Sequence, residues 1–190
     1  MARIFIIVGH SRMGTLCEAL GEAYLRGAKA AGHDAGLFVT SRMKFDPVLW
    51  EGFERVQALE PDLQEAHDAM LAAEHLVVIF PLWMGAMPAI LTGLFQRILQ
   101  PDLAAEAKHG VIRKFLKGKS ARIIITMNMP AAIFRYWYGA HGLKTLERNV
   151  LKLVGVRPVH STLLGLAEAG GNKRRLRWLR EVEELGKRAA

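Results

Sequence analysis

Five short apolar runs alternate with five stretches of helical periodicity, and this alternation limits the fold more than any single motif. The runs are Ile4–Val8, Gly36–Val39, Leu76–Phe80, Ala121–Met127 and Pro158–Leu164. Helical spacing fills roughly 15–31, 61–73, 88–99, 142–153 and 172–188. Apolar runs without polar alternation suit strands covered on both faces. Strands that alternate with helices build a parallel sheet, because each helical crossover returns the chain to the same end of the sheet. Five such units predict a three-layer α/β sandwich with strand order 2-1-3-4-5 and helices on both faces. The 190 residues are read as one domain, 1–190, with a long connection over 40–60.

In such sheets ligands bind beyond the carboxyl ends of the strands, at the switch point. That rule brings three loops together: 9–16, 81–87 and 128–141. The first runs "GHSRMGT" into a helix. Free backbone N–H groups and the helix dipole make such a turn an anion site. Thr15 suits the N-cap, and its hydroxyl can also reach a phosphate oxygen. Gly9 and Gly14 have the spacing of a nucleotide-hydrolysing P-loop, but the following lysine is missing. His10-Ser11 breaks a Gly-x-Gly-x-x-Gly dinucleotide fingerprint. The loop therefore suits a phosphate that is held and not cleaved.

The second loop, "PLWMGAMPA", carries Trp83 and Met84 where polar residues are usual. They offer a flat apolar wall for an aromatic ring system. The third holds Phe134, Tyr136, Trp137 and Tyr138, followed by His141. Aromatic faces can sandwich a planar substrate, with Phe134 and Trp137 as candidates. His141, Tyr136 or Tyr138 can supply a proton to a reduced oxygen. A phosphate loop, a ring wall and a stacking loop with a proton donor together describe a flavin site.

Other chemistries lack their residues. The seven histidines are scattered, with no His-Glu-x-x-His or Cys-x-x-Cys, so no metal is expected. No Gly-x-Ser-x-Gly elbow is present. The formal charge is +8, with basic clusters at Lys108–Arg122 and Lys173–Arg180, but no nucleic-acid motif accompanies them. They read as solvated helix faces. The uncharged stretch Leu76–Phe95 has the length of a membrane span, yet Pro81, Gly85 and Pro88 interrupt it. It reads as strand, loop and helix. One cysteine, Cys17, and no signal-peptide pattern point to the cytoplasm.

The segments "GHSRMGTLCEAL", "FDPVL", "LEPDLQEAHDAMLAAEHLVVIFPLWMGAMPAILTGLFQRIL", "GKSARIIITMNMP" and "YGAHGLKTLERNVLKLVGVRPV" resemble the NAD(P)H dehydrogenase (quinone) family of flavodoxin-like flavoproteins. The resemblance implies a homodimer with flavin sites at the subunit interface. It also implies two-electron reduction of quinones by NADH or NADPH in a ping-pong cycle, with FAD as cofactor and FMN as the alternative. By position, His10, Ser11, Thr15, Leu16 and Cys17 fall where the family meets the flavin phosphates and nucleotide tail. Pro81, Leu82, Trp83 and Met84 fall on the loop lining the isoalloxazine. Thr126, Met127, Asn128 and Met129 fall on the loop approaching the other ring edge. His141 aligns with a histidine that compensates charge during hydride transfer, and Tyr136 or Tyr138 with a tyrosine that assists it.

The chain departs from the family pattern in three places. Phe134 stands at a position where the family commonly has tyrosine. Met84 stands where many members carry a second tryptophan. Pro101-Asp102-Leu103-Ala104 replaces a Gly-Phe-Ala-Phe-like segment at the substrate mouth. Two other classes fit the same fold: an electron carrier, which the positive charge disfavours, and an accessory subunit of a membrane transporter.

Overall fold

The computed structural model describes residues 1–107, 114–169 and 171–190. Its elements run β1 Arg3–Val8, α1 Leu16–Ala30, β2 Asp34–Val39, α2 Pro61–Ala72, β3 His75–Pro81, α3 Ala89–Ala107, β4 Ser120–Thr126, α4 His141–Lys144, β5 Val159–Leu164 and α5 Gly171–Arg188. Two π-helical segments flank α4, at Ile133–Trp137 and Thr145–Leu151. The strands form one parallel sheet in the order β2-β1-β3-β4-β5.

Alternation along each strand divides the core in two. Ile4, Ile6 and Val8 of β1, Val77 and Ile79 of β3, and Ile124 of β4 face α1 and α5. Phe5, Ile7, Leu76, Val78, Phe80, Ile123 and Ile125 point the other way, onto α2, α3 and the α4 region. Both faces are apolar because both are covered, which is why the strands read as unbroken hydrophobic runs. Each fully buried aliphatic side chain contributes roughly 1.5–3 kcal/mol.

On the first face α1 and α5 approach to backbone contact. A Cβ on Gly27 would lie 1.9 Å from the Glu183 carbonyl oxygen, and one on Gly186 would lie 2.2 Å from that of Tyr24. On the second face, α3 anchors the long connection that follows β2. Arg97 is fully buried and donates to the carbonyl of Ala58 and to the Glu60 carboxylate at 2.7 and 2.9 Å. Its other terminal nitrogen meets the Asp46 carbonyl. One turn on, Gln100 donates to the carbonyls of Gly52 and Arg55.

Several expected boundaries move. The third helix does not stop near residue 99 but continues through Pro101 to Ala107. Proline leaves the carbonyl four residues back without its helical partner. Side chains on either side hold the helix there, Gln100 on the connection and Asp102 on His67 of α2 at 2.7 Å. The continuous helix expected over 142–153 is instead one turn of α-helix followed by the wider Thr145–Leu151 segment. Apolar spacing did not distinguish the two periods. On α5, Trp178 and Val182 are buried, whereas Leu176 is exposed. Of the basic cluster Lys108–Arg122, residues 108–113 lie outside the described residues. Among the described residues no helix is long and apolar enough to cross a membrane.

Candidate functional site

The carboxyl ends of β1, β3 and β4 open on one cavity of about 440 Å³. His10, Thr15, Leu16, Cys17, Pro81, Leu82, Trp83, Thr126, Met127 and Asn128 line it, all expected from the sequence. Arg12, Gly14, Ala167, Glu168 and Arg175 line it too and were missed. The signal for the last three lay in the topology. The loop after β5 leaves the same edge of the sheet, yet Arg175 had been read as part of a solvated helix face.

The loop after β1 is organised from within. Gly9 donates its N–H to the Ile79 carbonyl at 2.8 Å, fixing the loop to β3. His10 N–H donates to Thr40 Oγ1 at 3.0 Å, and Thr40 Oγ1 donates back to the His10 carbonyl at 2.9 Å. Arg12 N–H donates to His10 Nδ1 at 3.0 Å, so the neutral ring carries its proton on Nε2. Burial and the nearby Arg12 cation both lower the His10 pKa, which favours that neutral form. The His10 ring meets Trp83 edge-on, with centroids 5.0 Å apart at 74°.

Thr15 is the N-cap of α1, as expected, and accepts the Glu18 N–H at 3.4 Å. Glu18, at the third helical position, reaches back and accepts the Gly14 N–H at 2.6 Å. It is buried and paired with Arg42. Burial raises its carboxyl pKa, but the Gly14 N–H and Arg42 outweigh burial and hold it below the usual value.

Trp83 and Ala86 pair as the ends of a tight turn, with N–H to carbonyl distances of 3.1 and 2.9 Å. Met84 and Gly85 both have positive φ, 49° and 77°, the signature of a type I′ turn. This leaves Trp83 about half exposed toward the cavity and sends Met84 into solvent, away from the lining. The turn abuts the start of α4, where a Cβ on Gly142 would lie 2.2 Å from the Gly85 carbonyl oxygen.

Thr126 is the last residue of β4, not the first of a loop. Its carbonyl accepts the Leu82 N–H at 2.8 Å, and its hydroxyl lies 3.3 Å from Cys17 Sγ. Burial pushes the Cys17 thiol up to about 11, so it stays protonated and is no nucleophile.

The remaining candidates stand apart. Ser11 and Met129 do not line the cavity, and Met129 packs against the core. Phe134 does not serve as a substrate surface. It is 2% exposed and belongs to the core beneath the third loop, because the π-helical segment turns it inward. The same segment turns Tyr136 and Trp137 outward, and Tyr138, just beyond it, is also exposed. His141 is the first residue of α4, exposed and outside the cavity lining. Among the described residues no group of three or more His, Cys, Asp or Glu could hold a metal ion.

The cavity is suited to one extended ligand. A half-exposed indole stands at the turn after β3. Leu16 and Cys17, whose first-turn amides have no acceptor within the helix, line the cavity together with two guanidiniums and the Glu168 carboxylate. This donor set fits a planar ring system joined to a phosphate, and the volume lies in the ordinary range for cofactor sites.

Comparison with known proteins agrees with this architecture. The model of a family described by its flavodoxin-like fold matches residues 2–187. An NAD(P)H oxidoreductase of Haemophilus influenzae is 32% identical over 90 residues, covering 45% of this chain and 44% of that protein. The alignments to curated relatives thus span about half of their length. The NAD(P)H:quinone oxidoreductase of Methanothermobacter marburgensis superposes with a TM-score of 0.78 over 98% of this chain and 96% of its own, at 22% identity. An FMN-dependent NADH-azoreductase of Bacillus anthracis, solved with FMN, gives 0.68 over 97% and 98%, at 16% identity.

Proposed function

The chain belongs to the family with the flavodoxin-like fold, and from that membership we propose that it is a flavin-dependent NAD(P)H oxidoreductase acting on quinones. One observation carries the reading: phosphate loop, indole wall and the end of β4 line a single cavity. When bound, the flavin supplies two-electron transfer from NADH or NADPH to the acceptor. In sum, NAD(P)H, a proton and a quinone become NAD(P)⁺ and a hydroquinone.

The chain's own residues hold, shield and protonate. The amides of Leu16 and Cys17 and the Thr15 hydroxyl receive phosphate, with Arg12 and Arg175 offsetting its charge. Two arginines suit the pyrophosphate of FAD, with FMN the alternative. Trp83 forms the flat wall, and His10 behind it fixes the indole. Leu82, Trp83 and Met127 exclude water, and donor and acceptor use the same opening in turn, as a ping-pong cycle requires. His141, exposed at the start of α4 against the turn that carries Trp83, supplies the proton to an acceptor that extends beyond the lining, with Tyr136 or Tyr138 as the alternative and Trp137 as a stacking surface.

Two broader features belong to the same reading. The protein is a cytoplasmic homodimer, paired through the apolar groove of about 310 Å³ between α3 and the Thr145–Leu151 segment. The test is direct. The purified protein is expected to quench the fluorescence of added FAD or FMN and, once loaded, to oxidise NADPH or NADH with a soluble quinone. A protein that quenches neither flavin would overturn the reading.

A further inference from the structure

The loop after β1 spends its amides unusually. His10 N–H goes to Thr40, Arg12 N–H to His10, and Gly14 N–H to the Glu18 carboxylate. The last is the notable one. Gly14 lines the cavity and adopts a positive φ of 69°, yet its N–H points at an internal anion and not at the ligand. Glu18 itself does not line the cavity, so its charge lies behind the loop, one peptide group from the anion end. Its partner Arg42 stands on the solvent side, with a side chain 59% exposed against 4% for Glu18. Water screens the guanidinium more than the carboxylate. The loop therefore meets a net negative field from behind.

Phosphates differ in how they tolerate that field. A phosphomonoester carries close to two negative charges at pH 7, because its second pKa is about 6. Each phosphate of a pyrophosphate diester carries one. Resting on the flavin reading above, we propose that Glu18 makes the loop favour a phosphate of single charge, and so selects FAD over FMN. Arg12 and Arg175 extend the same logic. They reach the cavity from the loop after β1 and from α5, but the Glu168 carboxylate lines it too, so the three carry one net positive charge and the second charge of a phosphomonoester goes unmatched.

The experiment is flavin-fluorescence titration of apoprotein with FMN and FAD in parallel, for wild type, Glu18→Gln and Arg42→Gln. Wild type is expected to bind FAD more tightly. Glu18→Gln keeps an acceptor for the Gly14 N–H and removes the charge, so FMN affinity should rise roughly tenfold while FAD changes less than about threefold. That is the order expected of one partly screened charge at close range. Arg42→Gln lies at the surface and should act in the opposite direction, weakening FMN more than FAD. Equal changes for both flavins, or a wild type that prefers FMN tenfold, would overturn the role of Glu18 and leave the flavin reading standing. Quenching of neither flavin by any variant would overturn both.

Discussion

The Cys17 sulfur lies 3.3 Å from the Thr126 hydroxyl and joins the first turn of α1 to the last residue of β4 across the floor of the cavity. A buried thiol with its pKa near 11 is a hydrogen-bonding group and not a reactive one. Thiol reagents at pH 8 are expected to leave Cys17 untouched in the folded protein and to label it fully in denaturant. Cys17→Ala should cost about 1 kcal/mol in urea melts, and Cys17→Ser should recover most of it. Rapid labelling of the native protein would show the floor to be open.

Trp83 is the test of the ring wall. Trp83→Ala removes the flat face and the edge contact with His10. Flavin affinity should fall at least tenfold, with little change in melting temperature, because the indole is half exposed. Trp83→Phe should restore part of the affinity. An unchanged dissociation constant would place the ring elsewhere.

His141 tests the proton source. Replacement by Gln should slow flavin reduction by NADPH in stopped flow by roughly tenfold to a hundredfold, the low end of general acid effects. Flavin affinity should stay constant, because His141 does not line the cavity. An unchanged reduction rate would pass the role to Tyr136 or Tyr138.

Arg97 carries the largest expected cost. Arg97→Ala removes the buried cation paired with Glu60, which keeps the Asp46 N–H, and takes this donor from the carbonyls of Asp46 and Ala58. A loss of about 3–5 kcal/mol is expected by chemical denaturation. Proteolysis should then begin within 46–60.

His75 gives a pH signature. Burial, reinforced by Arg122, lowers its pKa to about 4. The unfolded chain takes up this proton near pH 6.5 and the folded chain only near 4. Its contribution is therefore complete above about 6.5 and is lost as pH falls toward 4, about 3 kcal/mol in all. The stability difference between wild type and His75→Gln should change by that order across the window, measured by urea melts at each pH.

The fold was legible because alternation and periodicity report burial, and burial decides an α/β sheet. Ile4, Ile6 and Val8 against Phe5 and Ile7 needed no partner information to be placed. The Thr15 cap was legible for a similar reason, since an N-cap is local chemistry. The rest depends on distant contacts. Phe134 and Tyr136 are both aromatic and two residues apart, but a π-helical segment buries one and exposes the other. Arg175 looked like its charged neighbours until the end of β5 placed it at the cavity. Glu18 was an unremarkable helical acid until its carboxylate was seen to take the Gly14 N–H.

The close crossing of α1 and α5 has a mechanical consequence. Both helices follow parallel strands on one face, so their N-termini open at the same edge, one carrying the phosphate loop and the other Arg175. Where Gly27 faces Glu183 and Gly186 faces Tyr24, the two backbones touch with no side chain between them. The crossing works like the rivet of a pair of pliers, and the two N-termini are the jaws. A methyl group at Gly27 would have to push the two helices apart, so the spacing of the jaws is gauged far from any residue that lines the cavity.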